Sequence, residues 1–236
     1  MTDLVKRASE YATQAHQRIN HLRKYSKQPY HVHLEAVARL VASVTDDPEV
    51  IAAAWLHDTV EDTSATLDDI EAEFGKSIAD LVEELTDVSK PSDGNRAKRK
   101  AIDRNYIAQA SSRAKTVKLA DLIDNCRDIT KHDRRFAKVY LVEMGALLEV
   151  LGDGDESLYQ QAAALYADRM HKLGLPTGGQ LDADPWEAES IGLAGFDDQH
   201  FKRMFMELFT AKDIAEGLLS FDADSDCAEV KAVLER

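Results

Sequence analysis

Apolar side chains recur every three to four residues from the start of the chain to about residue 174, and no convincing stretch alternates every second residue as a half-buried strand would. That periodicity predicts an all-α domain. Leu4, Ala8, Tyr11 and Ala15 place one stripe on an opening helix over residues 3–24, and Pro29 keeps the chain extended just before it. Leu34, Val37, Val41 and Val44 line a second helix. Asp46-Asp47-Pro48 reads as a cap with proline at the first helical position, opening a segment, 48–57, that is apolar on nearly every side and so belongs in the core. Thr66-x-x-Asp69 and Ser77-x-x-Asp80 each look like a helix start, with Gly75 as the stop between them. Beyond the loop residues 90–95, helices are predicted over 96–110, 112–130, 134–151 and 156–173. Pro176-Thr177-Gly178-Gly179 then breaks the pattern and marks a domain boundary.

Polar residues interrupt this apolar background at a few places. His31-Val32-His33 follows the Pro29-Tyr30 corner. His57-Asp58 closes the most apolar helix, with Glu61-Asp62 one turn later. Asp121 sits within Val117-Lys118-Leu119-Ala120-Asp121-Leu122-Ile123, with Asn125 and Asp128 on the same face. A carboxylate buried there without a partner costs several kcal/mol or becomes protonated, so Asp121 calls for a cation. A metal shared with histidines is one candidate; Lys118 or Arg127 is the plainer one. A single His-Asp pair at a helix end is most often a cap or an ion pair. Imidazole and carboxylate together suit a divalent first-row ion such as manganese, iron or zinc, and such an ion can polarise a phosphoryl oxygen. The chemistry implied is hydrolysis.

Composition narrows the field. The 236 residues include 44% hydrophobic ones, enough for a real core, and no run reaches the roughly 18 apolar residues of a membrane span. The start, MTDLVKRASEY, lacks the apolar stretch of a secretory signal, so the expectation is a cytoplasmic protein with no membrane partner. Cys126 and Cys227 make neither a disulfide framework nor a zinc pair. The net charge of −14 argues against nucleic acid as a general partner. It is unevenly spread, however. Residues 1–150 carry 22 basic and 25 acidic side chains, whereas 151–236 carry 7 and 18. The near-neutral first part, with Arg23, Lys24, Lys27 and the basic stretch 96–104, suits a small polyanion; a solvated helix face is the alternative use of that stretch.

The run His57-Asp58-Thr59-Val60-Glu61-Asp62-Thr63, preceded by Ala52-Ala53-Ala54-Trp55-Leu56, resembles the HDxxED motif of the HD-domain alarmone hydrolases, the hydrolase domains of Rel/SpoT enzymes and the small alarmone hydrolases. Arg23-Lys24, Pro29-Tyr30-x-x-His33, Phe74-Gly75, Leu85-Thr86-Asp87, Val117–Asp121 and Asn125-x-Arg127-Asp128 follow in the family's order, so the resemblance covers roughly residues 5–172. It implies an all-helical HD fold that holds one manganese ion and cleaves the 3′-pyrophosphate from ppGpp or pppGpp, leaving GDP or GTP. By position it implies His33, His57, Asp58 and Asp121 as metal ligands and Glu61 and Asp62 as the residues that orient and deprotonate water. Arg23, Lys24 and Asn125 would contact the nucleotide. The segment Gln17–Leu22 is longer than in the family pattern, and Phe136–Leu148 departs from it where relatives place an Arg and a Tyr against phosphates. Adenosine alarmone analogues, other 3′-phosphorylated nucleotides, and a non-catalytic nucleotide-sensing module are the competing readings.

The domain division that follows is a metal-dependent hydrolase over 1–176, an acidic linker over 177–200 and a helical appendage over 201–236. Phe209–Asp222 and the last helix, Cys227–Leu234, resemble the opening of a CBS module, with a helical appendage that packs on the hydrolase domain or serves a dimer contact as the alternative; a homo-oligomer is compatible with either.

Overall fold

The computed structural model describes residues 2–175, and these form ten α-helices with one short 3-10 turn at Pro91–Asp93. In chain order the helices are α1 (Asp3–Arg18), α2 (His31–Ala42), α3 (Pro48–Leu56), α4 (Thr59–Asp62), α5 (Leu67–Phe74), α6 (Lys76–Leu85), α7 (Arg96–Ala108), α8 (Ser112–His132), α9 (Arg134–Val150) and α10 (Glu156–Leu173). The boundary expected at Pro176, the linker 177–200 and the CBS-like segment 201–236 lie outside the described residues.

Long helix α8 is the axle. Ten of its residues are buried, from Ala114 to Cys126, and it packs against α2, α3, α6, α9 and α10. Val37, Val41, Leu119, Ile123, Leu141 and Met144 meet in the larger core, and Ala8, Leu34, Leu56, Ile70 and Val82 in a smaller one on the other side of α3. Helix α3 can serve both because it is apolar all round: Val50, Ala52, Ala53, Ala54 and Leu56 are buried. Its small alanines let α1 and α2 approach closely. Burying one leucine-sized side chain contributes about 1.5–3 kcal/mol, so these two cores hold the site's walls rigid.

Local signals set the helix ends. Asp47 accepts from the Glu49 N–H ahead of Pro48, and Thr66 and Asp69 form a reciprocal capping box. Gly75, with φ +87°, ends α5 and opens α6, a backbone conformation that costs glycine little. Ser77 does not cap α6: that helix starts at Lys76, and the Ser77 hydroxyl instead donates to Glu49 at 2.7 Å.

The opening helix is shorter than its periodicity suggests, ending at Arg18 and not at residue 24. Asn20 takes a left-handed φ of +51°, after which Leu22 and Pro29 form an isolated antiparallel bridge, with the Arg23 N–H donating to Gln28 O and the Tyr30 N–H to His21 O. The turn carries Arg23 inward to α8, where two carboxylates receive it. Continuing the helix would forfeit both ion pairs.

Candidate active site

Helix α3 stops at the His57-Asp58 step. His57 is its C-cap and Asp58, at φ −96° and ψ 0°, leads into the single turn of α4. That break points the two side chains toward α2 and α8. His33 arrives from the first turn of α2 and Asp121 from the middle of α8. His33 and His57 are buried, and the potential ligand atoms of His33, His57 and Asp58 lie within 4.8 Å of one another. His33 Nε2 is 3.5 Å from Asp58 Oδ2 and 3.3 Å from Asp121 Oδ1; His57 Nε2 is 3.1 Å and 3.9 Å from the same two oxygens.

The other ring nitrogens fix which atoms face this centre. His57 Nδ1 is 2.9 Å from the Ala54 carbonyl and His33 Nδ1 is 2.6 Å from Asp124 Oδ2. Both partners are acceptors, so each Nδ1 carries a proton, and in the neutral ring that metal binding uses each Nε2 offers a lone pair. Those two Nε2 atoms are buried without a hydrogen-bond partner. An orphaned buried acceptor is costly, and two of them aimed at two carboxylate oxygens fit a divalent cation with nitrogen and oxygen ligands.

The carboxylates are oriented in turn. The Tyr30 hydroxyl donates to Asp58 Oδ2 at 2.7 Å, and Lys118 holds Asp121 Oδ2 at 3.0 Å, leaving Asp121 Oδ1 toward the histidines. Burial opposes ionisation of Asp121, but Lys118 and the two histidines outweigh it and hold its pKa well below the usual range. Burial likewise disfavours charge on His33, yet the carboxylates of Asp121, Asp124 and Asp58 raise its pKa well above the ordinary value. The cluster therefore demands positive charge. Glu61 and Asp62 flank it on α4; burial, followed by Asp58 and Glu61, pushes the Asp62 carboxyl up to about 7.

Residues 8–143 match the HD-domain family. The chain belongs to that family. Its HD step is the His57-Asp58 break just described. Across 131 residues this HD domain is 36% identical to a frog (Xenopus tropicalis) protein named guanosine-3′,5′-bis(diphosphate) 3′-pyrophosphohydrolase MESH1, covering 54% of this chain and 70% of the frog protein. The human MESH1 is 42% identical over 106 residues, 44% of this chain and 57% of the relative. A GTP pyrophosphokinase of Streptomyces coelicolor is 29% identical over 173 residues, 73% of this chain but 18% of that much longer protein. The HD fold superposes with a TM-score of 0.65 on a solved structure described as a metazoan ortholog of SpoT that hydrolyzes ppGpp, at 28% identity, over 72% of this chain and 97% of that one.

Outside the four-residue centre the structure sorts the remaining candidates. Arg23 is buried, with its guanidinium 2.9 Å from both Asp124 and Asp128, whereas Lys24 is exposed and lies over the rings of Tyr25 and Phe136. Asn125 donates to Asp121 Oδ1 at 2.5 Å and lines a cavity of about 160 Å³ beside it. Of the basic stretch of α7, Arg96, Lys100 and Arg104 line the same cavity, whereas Lys98 is exposed: Arg96 forms a bidentate pair with Glu143 and Lys100 pairs with Asp87 at 2.6 Å. Tyr140, in the segment that departs from the family pattern, also lines it.

Several contributors escape a sequence reading. Asp124 shows only as one more acid on α8, three residues from Asp121. His16 and His21 share a hydrogen bond at 2.9 Å between their Nδ1 atoms, stack with Tyr30, and bring His21 Nδ1 to 3.8 Å from Asp62. Their only sequence signal is that His21 lies in the lengthened segment.

Proposed function

We propose that this HD domain hydrolyses the 3′-pyrophosphate of guanosine alarmones, converting ppGpp or pppGpp and water to GDP or GTP and pyrophosphate. The observation that carries the reading is the pair of buried, unpartnered Nε2 atoms of His33 and His57 converging with Asp58 and Asp121 beside a cavity whose lining includes Arg96, Lys100, Arg104 and Lys118 among paired carboxylates. The names of its relatives point to the same substrate class.

In this proposal His33, His57, Asp58 and Asp121 hold one Mn²⁺. The bound ion supplies Lewis acidity toward the phosphoryl oxygens and lowers the pKa of a coordinated water. Asp62 takes the proton from the attacking water, a task suited to a carboxyl raised to about 7 and placed near but outside the ligand set. Glu61 accepts the Asp87 N–H at 3.4 Å and, in this proposal, orients the attacking water together with Asp62. Lys24, Asn125 and Lys118 face the nucleotide's phosphates and ribose, and Arg23 sets the position of Lys24 through its anchor on α8. Water exclusion in the cavity strengthens each of these charge contacts.

The test is incubation of manganese-loaded protein with ppGpp, its adenine counterpart and a plain 3′-phosphonucleotide, with products separated by anion exchange. Pyrophosphate and GDP from ppGpp support the proposal. Turnover confined to the adenine compound would assign the adenosine analogue, and release of inorganic phosphate from the 3′-phosphonucleotide alone would assign a phosphatase.

A further inference from the structure

Asp124 joins two groups that the chain brings from far apart. One oxygen, Oδ2, lies 2.6 Å from His33 Nδ1 and 2.9 Å from Arg23 Nη1. The second end of the guanidinium is 2.9 Å from Asp128 Oδ2. His33 is 1% exposed and Arg23 is 8% exposed, so this array is shielded from water. His57, in contrast, gives its Nδ1 proton to a neutral backbone carbonyl within its own helix. The two imidazoles are thus held by acceptors of unequal strength, and only His33 has a charged one.

We propose that Asp124 is a positioning residue for the metal centre, holding His33 as the Nδ1–H tautomer with Nε2 aimed at the ion and tying that ligand to the Arg23 anchor. A charged acceptor on Nδ1–H makes Nε2 the stronger donor and locks the ring plane. Arg23, shared with Asp128, offsets part of the carboxylate's charge next to Asp58 and Asp121. The arrangement also links ligand position to the turn 19–29: the Arg23–Asp124 pair ties that turn to α8, alongside the Tyr25 hydroxyl donating to Asp133 at 3.1 Å, and the far end of the turn leads to Tyr30 and His33.

The inference rests on the reading of His33 as a metal ligand and not on the identity of the substrate, so it is tested by binding. Manganese affinity is measured for wild type, Asp124→Ala, Asp124→Asn and Asp128→Ala, with each variant's fold checked by circular dichroism. Asp124→Ala is expected to weaken Mn²⁺ binding about 10- to 100-fold, the usual effect of removing such a partner. Asp124→Asn, whose amide oxygen still accepts from Nδ1–H, loses less. Asp128→Ala removes an Arg23 partner but touches no imidazole, and leaves the Kd within about twofold. In the Zn²⁺-loaded protein, 15N spectra show a slowly exchanging His33 Nδ1–H that Asp124→Ala abolishes. Equal affinity across wild type and both Asp124 variants overturns the proposal, as does an equal loss in Asp128→Ala and Asp124→Ala. If the alanine variant fails to fold, the asparagine variant decides, a wild-type Kd overturning the proposal. Loss of ppGpp turnover with metal binding intact would instead count against the proposed substrate, and a wild type that binds no metal would overturn both.

Discussion

Asp58 occupies a position where replacement has several consequences at once. It faces both imidazoles and accepts the Tyr30 hydroxyl, and its pKa is held well below the usual carboxylate range: burial opposes this, and His57 and His33 outweigh it. Asp58→Ala is expected to abolish stoichiometric metal binding, read by metal analysis after gel filtration, together with activity. Asp62→Asn separates the two functions: bound metal is retained while kcat falls about 10²- to 10⁴-fold, the range for loss of a general base. His16 gives a third prediction, read by the stability of the metal-free protein. It is 1% exposed, and chiefly its burial lowers its pKa to about 4, below the roughly 6.5 of an unfolded chain. As pH falls below 6.5 the unfolded chain takes up the proton first, so stability is lost between about 6.5 and 4 and unaffected above that window. By pH 5 this amounts to about 2 kcal/mol. Urea unfolding at pH 7.5 and pH 5 should therefore show a smaller acid loss in His16→Gln than in wild type.

Helices were legible wherever both periodicity and a terminus signal occur in the same few residues. The expected 112–130, 134–151 and 156–173 differ from α8, α9 and α10 by two residues or fewer at each end. Thr66-x-x-Asp69 caps α5 as its spacing implies, and Thr66→Ala should cost about 1 kcal/mol in a thermal or urea melt. The opening helix was overextended because its end depends on long-range partners: Arg23 leaves the helical path to reach Asp124, 101 residues away. Nothing near Arg23 in sequence announces that. The same limit hid the inward face of α7, whose Arg96 and Lys100 resemble a solvated cluster until Glu143 and Asp87 are placed opposite them. The metal-ligand candidates were visible for the opposite reason. Histidine and aspartate inside apolar runs conflict with burial in any ordinary core, whereas Asp124 lies at a position where a helix tolerates an acid.

On the scale of the whole molecule, a few of the cations that bring residues 1–150 near neutrality stand around the centre and its cavity, namely Arg23, Arg96, Lys100, Arg104 and Lys118, while others pair on surfaces elsewhere, as Arg7 does with Glu73. The described residues close on themselves: α10 packs on α8 and α9, and Leu175 is buried at the end of the larger core. A chain ending at residue 175 should retain the far-ultraviolet helical signal and the metal stoichiometry of the full chain; loss of either would place residues 176–236 within the folding unit. Among the described residues no helix is long and apolar enough to cross a membrane. The most direct single measurement is product analysis after manganese-loaded protein meets ppGpp. Equimolar GDP and pyrophosphate, absent in the Asp58→Ala protein, is the predicted result; intact ppGpp after incubation with protein that has bound its metal would contradict it.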